Sequence, residues 1–296
     1  MNNLKVFILT IAVGGLLFTG CCKEQTNELA TAKVHVGLNG FKISQDEIDT
    51  KDAQNAEDYT GVGAVILAFY ASDGTEMYQS TQLRSDPSTY TTFGEFNCDL
   101  PIGSYTMVAV ARQCGNDDEF TLTSPTLAGY SSERVRETFC ATQSVSVTSS
   151  TPLDLTATLN RVNTQVKIHS TDGRPAEAVK IRTTYGAGGK SFSPTTGLAT
   201  SDNGFSVTNN PSTAVGATIN VNNMAFLATD EETMTMTIEV LDANDNVLIT
   251  KVIPNVPLKR NRQTTLTGAV FTGDASAVGF QLETGWMMAS TSTSNN

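Results

Sequence analysis

Met234-Thr235-Met236-Thr237-Ile238-Glu239-Val240, then Asp242-Ala243-Asn244-Asp245-Asn246, then Val247-Leu248-Ile249-Thr250-Lys251-Val252: the stretch alternates large apolar with polar side chains, breaks at a cluster of turn formers, and resumes as an apolar run. Alternation of period two is how a strand shows one face to a core, and Asp and Asn accept the left-handed backbone of a tight turn. The stretch therefore predicts a β-hairpin. Helical periodicity is scarce elsewhere, so the pattern sets the fold class: all-β, built of short strands and turns.

Moving outward, the second half of the chain predicts further strands at Val166 and Ile168, at Val179 to Thr183 after an Asp172-Gly173 turn, and at Thr264, Leu266 and Val270. Phe280, Leu282, Thr284 and Trp286 fill one face of a last strand. Gly186 to Gly189 and Ser191 to Gly197 read as loop. In the first half, Val34, Val36 and Leu38 alternate with polar or small neighbours. Val65 to Tyr70 runs into Asp73-Gly74, a hairpin turn, and Met77 and Tyr78 begin the return strand. Tyr105 to Ala111, launched by Pro101-Ile102-Gly103, is apolar enough for a central strand buried on both faces. Residues 112–139 form a Ser- and Thr-rich polar excursion with a helical turn expected near Ser132 to Thr138. Val145, Val147, Leu153, Leu155, Ala157 and Leu159 close the half. The expected divisions are a leader at 1–20, a tether at 21–31, β-sandwiches at 32–160 and 161–288, and a disordered tail at 289–296.

The start of the chain carries its own signal. Val6 to Phe18 is apolar, preceded by a single charge at Lys5, and Phe18-Thr19-Gly20-Cys21 puts small residues at a cut site. The run is too short to span a bilayer and sits where a signal peptide sits. Phe18 stands where a lipobox usually has Leu; with that departure, Cys21 is the expected lipidated residue. Acyl chains on Cys21 would anchor the protein on a membrane without crossing it. Cys22 to Glu28 is polar and suits a flexible tether.

Loss of the single positive charge of Lys5 with the leader takes the net charge from −11 to −12. An acidic chain disfavours a nucleic-acid partner, which needs a basic face. Cys98, Cys114 and Cys140 match no zinc spacing, and export implies an oxidising compartment, so one disulfide and one remaining thiol are expected. Cys114 and Cys140 flank the polar excursion and are the better pair, with the connectivity left open by sequence.

Candidates for catalysis are few. The chain has two histidines, His35 and His169, each inside a predicted strand and neither at metal-ligand spacing from Cys, Asp or Glu. No phosphate loop, nucleophile elbow or zinc-protease helix is present. Asp117-Asp118-Glu119 lies in a loop, and Asp242 to Asn246 lacks the closing Glu of a calcium loop, so turn chemistry accounts for it better. The residues nominate no catalytic, cofactor or metal site, and the expectation is a protein that is not an enzyme.

Several segments together resemble the fimbrillin family of Bacteroidales lipoproteins, subunits and anchors of type V pili. They are Gly63 to Tyr70 before the Asp-Gly turn; Leu100 to Ala111; Leu159-Asn160-Arg161-Val162 leading into Val166; and Val256-Pro257-Leu258-Lys259-Arg260-Asn261 running into Thr264 to Gly268. The resemblance implies two transthyretin-like, Greek-key β-sandwich domains in tandem, surface exposure at the outer membrane, and partnership with other pilus subunits by strand exchange. Phe280, Leu282 and Trp286 mark the candidate donor strand. The family's shaft subunits lose their N-terminal strand to an Arg-directed protease; the first Arg here is Arg84. That favours a retained, anchor-like or accessory subunit. The rival expectation is a surface lipoprotein that binds glycan or host protein, though one Trp and 7% aromatic residues leave little for sugar stacking.

Overall fold

The computed structural model describes residues 30–42, 55–115, 119–272 and 280–286. The leader, Cys21, most of the tether, Asp117, Asp118 and the C-terminal tail lie outside them. In the N-terminal half the strands are β1 (Thr31–Lys42), β2 (Ala64–Ala71), β3 (Glu76–Leu83), β4 (Glu95–Pro101), β5 (Gly103–Arg112), β6 (Phe120–Ser124), β7 (Leu127–Tyr130), β8 (Thr138–Val147) and β9 (Leu153–Arg161). The C-terminal half holds β10 (Thr164–Ser170), β11 (Lys180–Tyr185), β12 (Ser191–Ser193), β13 (Leu198–Ala199), β14 (Phe205–Asn209), β15 (Asn220–Ala225), β16 (Glu231–Leu241), β17 (Val247–Lys259), β18 (Arg262–Gly268) and β19 (Gln281–Trp286). Among the described residues there is one 3-10 turn, Pro87–Thr89, and no α-helix. The chain is all-β.

The 234–252 hairpin is β16 and β17, antiparallel, with Glu239 opposite Thr250. Met234, Met236, Ile238 and Val240 are buried as their alternation requires. At the tip Asp245 has φ of 66°, and the Asp242 carboxylate accepts the N–H groups of Asn244 (2.8 Å) and Asn246 (2.9 Å) and the Asn246 side-chain amide (2.9 Å). Those bonds, led by Asn246, hold the Asp242 carboxyl below its ordinary pKa.

The N-terminal half is a seven-stranded sheet of order β3-β2-β5-β8-β9-β1-β4. It is nearly split in two, because β8 and β9 pair only at Phe139↔Arg161 and Cys140↔Asn160. The wings β3-β2-β5-β8 and β9-β1-β4 share one core, with Val65, Leu67, Phe69 and Met107 from the first and Val34, Val36, Leu100 and Leu159 from the second. In the C-terminal half, sheets β15-β10-β18-β19 and β14-β11-β16-β17 close on a second core that includes Val166, Ile168, Met236, Ile238 and Leu266. Both halves use the same three-strand unit. β1 lies parallel to β9 and antiparallel to β4, and β10 lies parallel to β18 and antiparallel to β15.

A fourth sheet, β13-β12-β7-β6, corrects the reading of residues 112–139 and 191–197 as excursion and loop. Its middle seam pairs β7 of the first half with β12 of the second, Gly129↔Ser191 and Ala128↔Phe192. A Cβ on Gly129 would lie 2.5 Å from the Ser191 Cα, so only glycine permits this approach. The sheet helps cover the outer face of β2 and β5, where Ile66, Tyr70, Val108 and Val110 join Leu122, Tyr130, Phe192 and Phe226 in a third core. That is why Tyr105 to Ala111 is buried on both faces, as its apolar run predicts. The helical turn expected near Ser132 to Thr138 does not form; Val135 instead bridges to Met224 across the halves.

Candidate functional site

Three features of the described residues bear on function: a buried ionic joint between the halves, the exposed strand edges, and a shallow recess beside β1 and β4. The joint stands where β9 gives way to β10. Arg161, with its side chain fully buried, donates from Nε to Glu137 Oε1 at 2.9 Å, makes a second bond to that oxygen, and donates to Asn261 Oδ1 at 2.9 Å. The Tyr59 hydroxyl donates to the same carboxylate at 3.2 and 3.3 Å. The Arg161 guanidinium lies 5.0 Å over Phe139, which packs edge-on against Phe41 and Tyr59. The joint is closed by Asn261, held at φ of 58° with its N–H on the Asn163 carbonyl, and by the Asn163 side chain, which donates to the Arg136 carbonyl at 2.6 Å.

Glu137 and Arg136 come just before β8, Arg161 ends β9, Asn163 lies in the link to β10, Asn261 is in the β17–β18 turn, and Tyr59 precedes β2. Arg161 and Asn261 fall within two of the segments that carry the family resemblance, but nothing in their spacing marks them as neighbours. Charged side chains are usually solvated, and Glu137 is far from Asn261 along the chain. A buried ion pair satisfied on both sides fixes geometry rather than performing chemistry.

The edges differ. β19 lies antiparallel on β18, with Leu282 opposite Leu266 and Trp286 opposite Arg262. Phe280 packs on the second core, and Leu282 is 41% exposed. The candidate donor strand thus completes its own sheet here. β9 has no such cover: among the described residues, its side away from β1 meets β8 at the two pairs given above and no other strand.

The recess, about 370 Å³, is lined by Lys33, Val34, His35, Asn97, Cys98, Asp99 and Pro152. His35 Nδ1 lies 3.3 Å from an Asp154 carboxylate oxygen, on an open face. His169 Nδ1 lies 3.1 Å from Asn220 Oδ1, in the other half. The two histidines are separate, half-exposed strand residues. No group of three or more His, Cys, Asp or Glu among the described residues is placed to hold a metal.

The pairing of Cys114 with Cys140 is corrected. Cys140 sits opposite Val110, and Cys114 follows Arg112, which faces Thr138. The two are therefore offset by four residues along the ladder, about 13 Å at about 3.3 Å per residue, while a disulfide needs Cα atoms within about 7 Å. No disulfide joins them. Cys140 is instead a core residue, its thiol pushed up to about 12 by burial. Burial, with Asp99 beside it, pushes the Cys98 thiol up to about 11. Neither is poised as a nucleophile at neutral pH.

The fold has solved counterparts. A candidate adhesin from Bacteroides ovatus superposes with a TM-score of 0.52 at 11% identity, covering 89% of this chain and 98% of that one. A candidate polysaccharide-binding protein (DUF1812) from Bacteroides thetaiotaomicron gives 0.51 at 11% identity, covering 88% and 99%. The fimbrial anchor protein Mfa2 from Porphyromonas gingivalis gives 0.45 at 12% identity, covering 80% and 90%. No curated protein sequence matches the chain. Residues 30–287, which take in both halves, the joint and β19, match the profile of a family of unknown function, and the chain accordingly belongs to that family, DUF6562.

Proposed function

We propose that the chain is a structural, adhesive lipoprotein of the cell surface, a fimbrial subunit or anchor held at the outer membrane by lipid on Cys21 and acting by contact rather than catalysis. The observation that carries this reading is a lipid-attachment signal, Phe18 to Cys21, in front of a body whose fold is shared with a candidate adhesin. In this reading residues 21–31 are the tether, and 32–160 and 161–288 are the two sandwiches.

Assembly would proceed by strand addition. An uncovered strand leaves N–H and C=O groups unpaired, which an incoming strand satisfies, and alternate side chains supply register. The open side of β9 is such an acceptor edge, and β19 is the strand whose apolar face suits donation.

A second reading, a surface lipoprotein that captures glycan, is favoured by the description of the DUF1812 protein and by the open recess lined by Lys33, His35, Asn97 and Asp99. Labelling cells with an alkyne fatty acid, followed by pull-down from surface membranes, tests both. Label on the wild type and its loss in Cys21→Ala are expected, together with recovery of pilus-type protein partners. Equal labelling of Cys21→Ala sinks the anchor; recovery of glycan alone favours the second reading.

A further inference from the structure

We propose that this fold is a pair of shear clamps joined in series, which lets the protein hold tension between its N-terminal attachment and whatever it binds. The inference rests on the anchor reading for the point at which force enters, and on topology for the rest.

Force from an N-terminal tether reaches the start of β1. β1 runs parallel to β9, from Val34↔Leu153 to Lys42↔Asn160. The chain leaves β9 at Arg161 and enters β10 at Thr164, and β10 runs parallel to β18, from Gln165↔Gln263 to Ser170↔Gly268. In each unit tension enters at the N-terminal end of one strand and leaves at the C-terminal end of its parallel neighbour. The two strands are drawn past each other along their length, so the hydrogen bonds of a ladder share the force and must fail together. A pair loaded at one shared end opens one bond at a time.

Each clamp is gripped on its other side as well. β4 holds β1 from Thr31↔Pro101 to Gly37↔Glu95, and β15 holds β10 from Thr164↔Ala225 to His169↔Asn220. Sliding β1 would drag Ala32, Val34, Val36, Leu38 and Phe41, each 2% exposed or less, through the first core. The buried Arg161–Glu137 pair sits at the link where the first clamp hands its load to the second.

β19 behaves differently. It is antiparallel to β18, and Trp286 lies opposite Arg262, so force applied beyond Trp286 peels the strand from that end. Peeling stops at residue 273, because Val270 and Phe271 are buried in the second core with their N–H groups on the Asp172 carboxylate; it frees 14 residues, at most about 50 Å of chain at about 3.5 Å each. The geometry thus gives a compliant end ahead of two stiff units.

Single-molecule pulling of the chain from residue 22 to 296 between marker domains tests this. A second form carries a peptide handle inserted after exposed Ile102, whose N–H bonds the Ala30 carbonyl, so that handle and N-terminus lie at one end of the β1–β4 pair. Pulled by its ends, the protein should extend slightly at low force and then rupture at a force several-fold higher than between the N-terminus and position 102. The inserted form pulled by its ends shows that its fold is intact. Equal rupture forces in the two geometries, or unravelling of the body at the force of the first extension, would overturn the proposal. Neither result depends on lipid, so a failed clamp and a failed anchor are read separately, the second by the fatty-acid label.

Discussion

The two halves start from one plan and finish it differently. Each lays its first strand parallel to its closing strand, with an antiparallel neighbour on the far side: β4-β1-β9 and β15-β10-β18. In the second half the closing strand β18 is then covered by β19 from Arg262 to Thr267. In the first half β9 meets β8 at two residue pairs and, among the described residues, no other strand on that side. Composition does not explain the contrast. β9 passes into β10 after only Val162 and Asn163, so no following segment is available to fold back on it, whereas β18 is followed by enough chain to supply its own cover. Connectivity decides which edge is left open.

The largest test asks whether the halves can be treated apart at all. Glu137→Ala leaves the Arg161 charge buried without its carboxylate, and the expected cost is about 3–5 kcal/mol, read by urea unfolding. Replacing both residues with apolar ones of similar volume should cost far less. A single transition is expected for the wild type; two separate transitions, one for each half, would break the picture of halves fused at this joint.

The second test concerns the covered edge. Removing residues 278–296 uncovers β18, and because Leu282 is 41% exposed and Phe280 only half-buried, the expected loss is about 1–2 kcal/mol. A body that survives this with its surface partner lost marks β19 as donated. A much larger loss would show that β18, unlike β9, cannot stand open.

The smallest effect sharpens a likeness. Each half has an Asp-tipped hairpin, and both carboxyls are held below the ordinary value: Asp73 chiefly by the Thr75 N–H, Asp242 chiefly by Asn246. For a depressed carboxyl the stabilisation is full above the unfolded pKa and is lost as pH falls through the folded one, here below 3.8. Side-chain carboxyl NMR titration should place both Asp73 and Asp242 below the ordinary carboxylate value, and removing the Thr75 or Asn246 side chain should raise the corresponding one. Added calcium should move neither; a shift at Asp242 would revive the reading of 242–246 as a metal loop.

What the sequence displays and what it conceals follow from distance along the chain. The β16–β17 hairpin is legible because its period, its turn and its partner are adjacent, and β5 is legible because burial on both faces leaves a run with no polar break. The seam of β7 and β12 leaves no such mark. Each strand is short, contributes one or two apolar side chains such as Ala128 and Phe192, and finds its partner some 60 residues away. The cysteine pairing is hidden for the same reason: flanking a loop says nothing about register, and register puts Cys140 opposite Val110. Glu137, Arg161 and Asn261 were invisible as a set because three elements must fold before they meet.

The third core has a consequence in time as well as space. Ile66, Tyr70, Val108 and Val110 belong to the part of the chain made first, but Phe192 and Phe226, which help cover them, are made last. A chain emerging N-terminus first therefore presents an apolar sheet face for as long as it takes to synthesise and deliver the second half. The same face would be bared by any cut at the link near residue 161, and the resulting fragments would be expected to clump rather than to persist as two independent bodies.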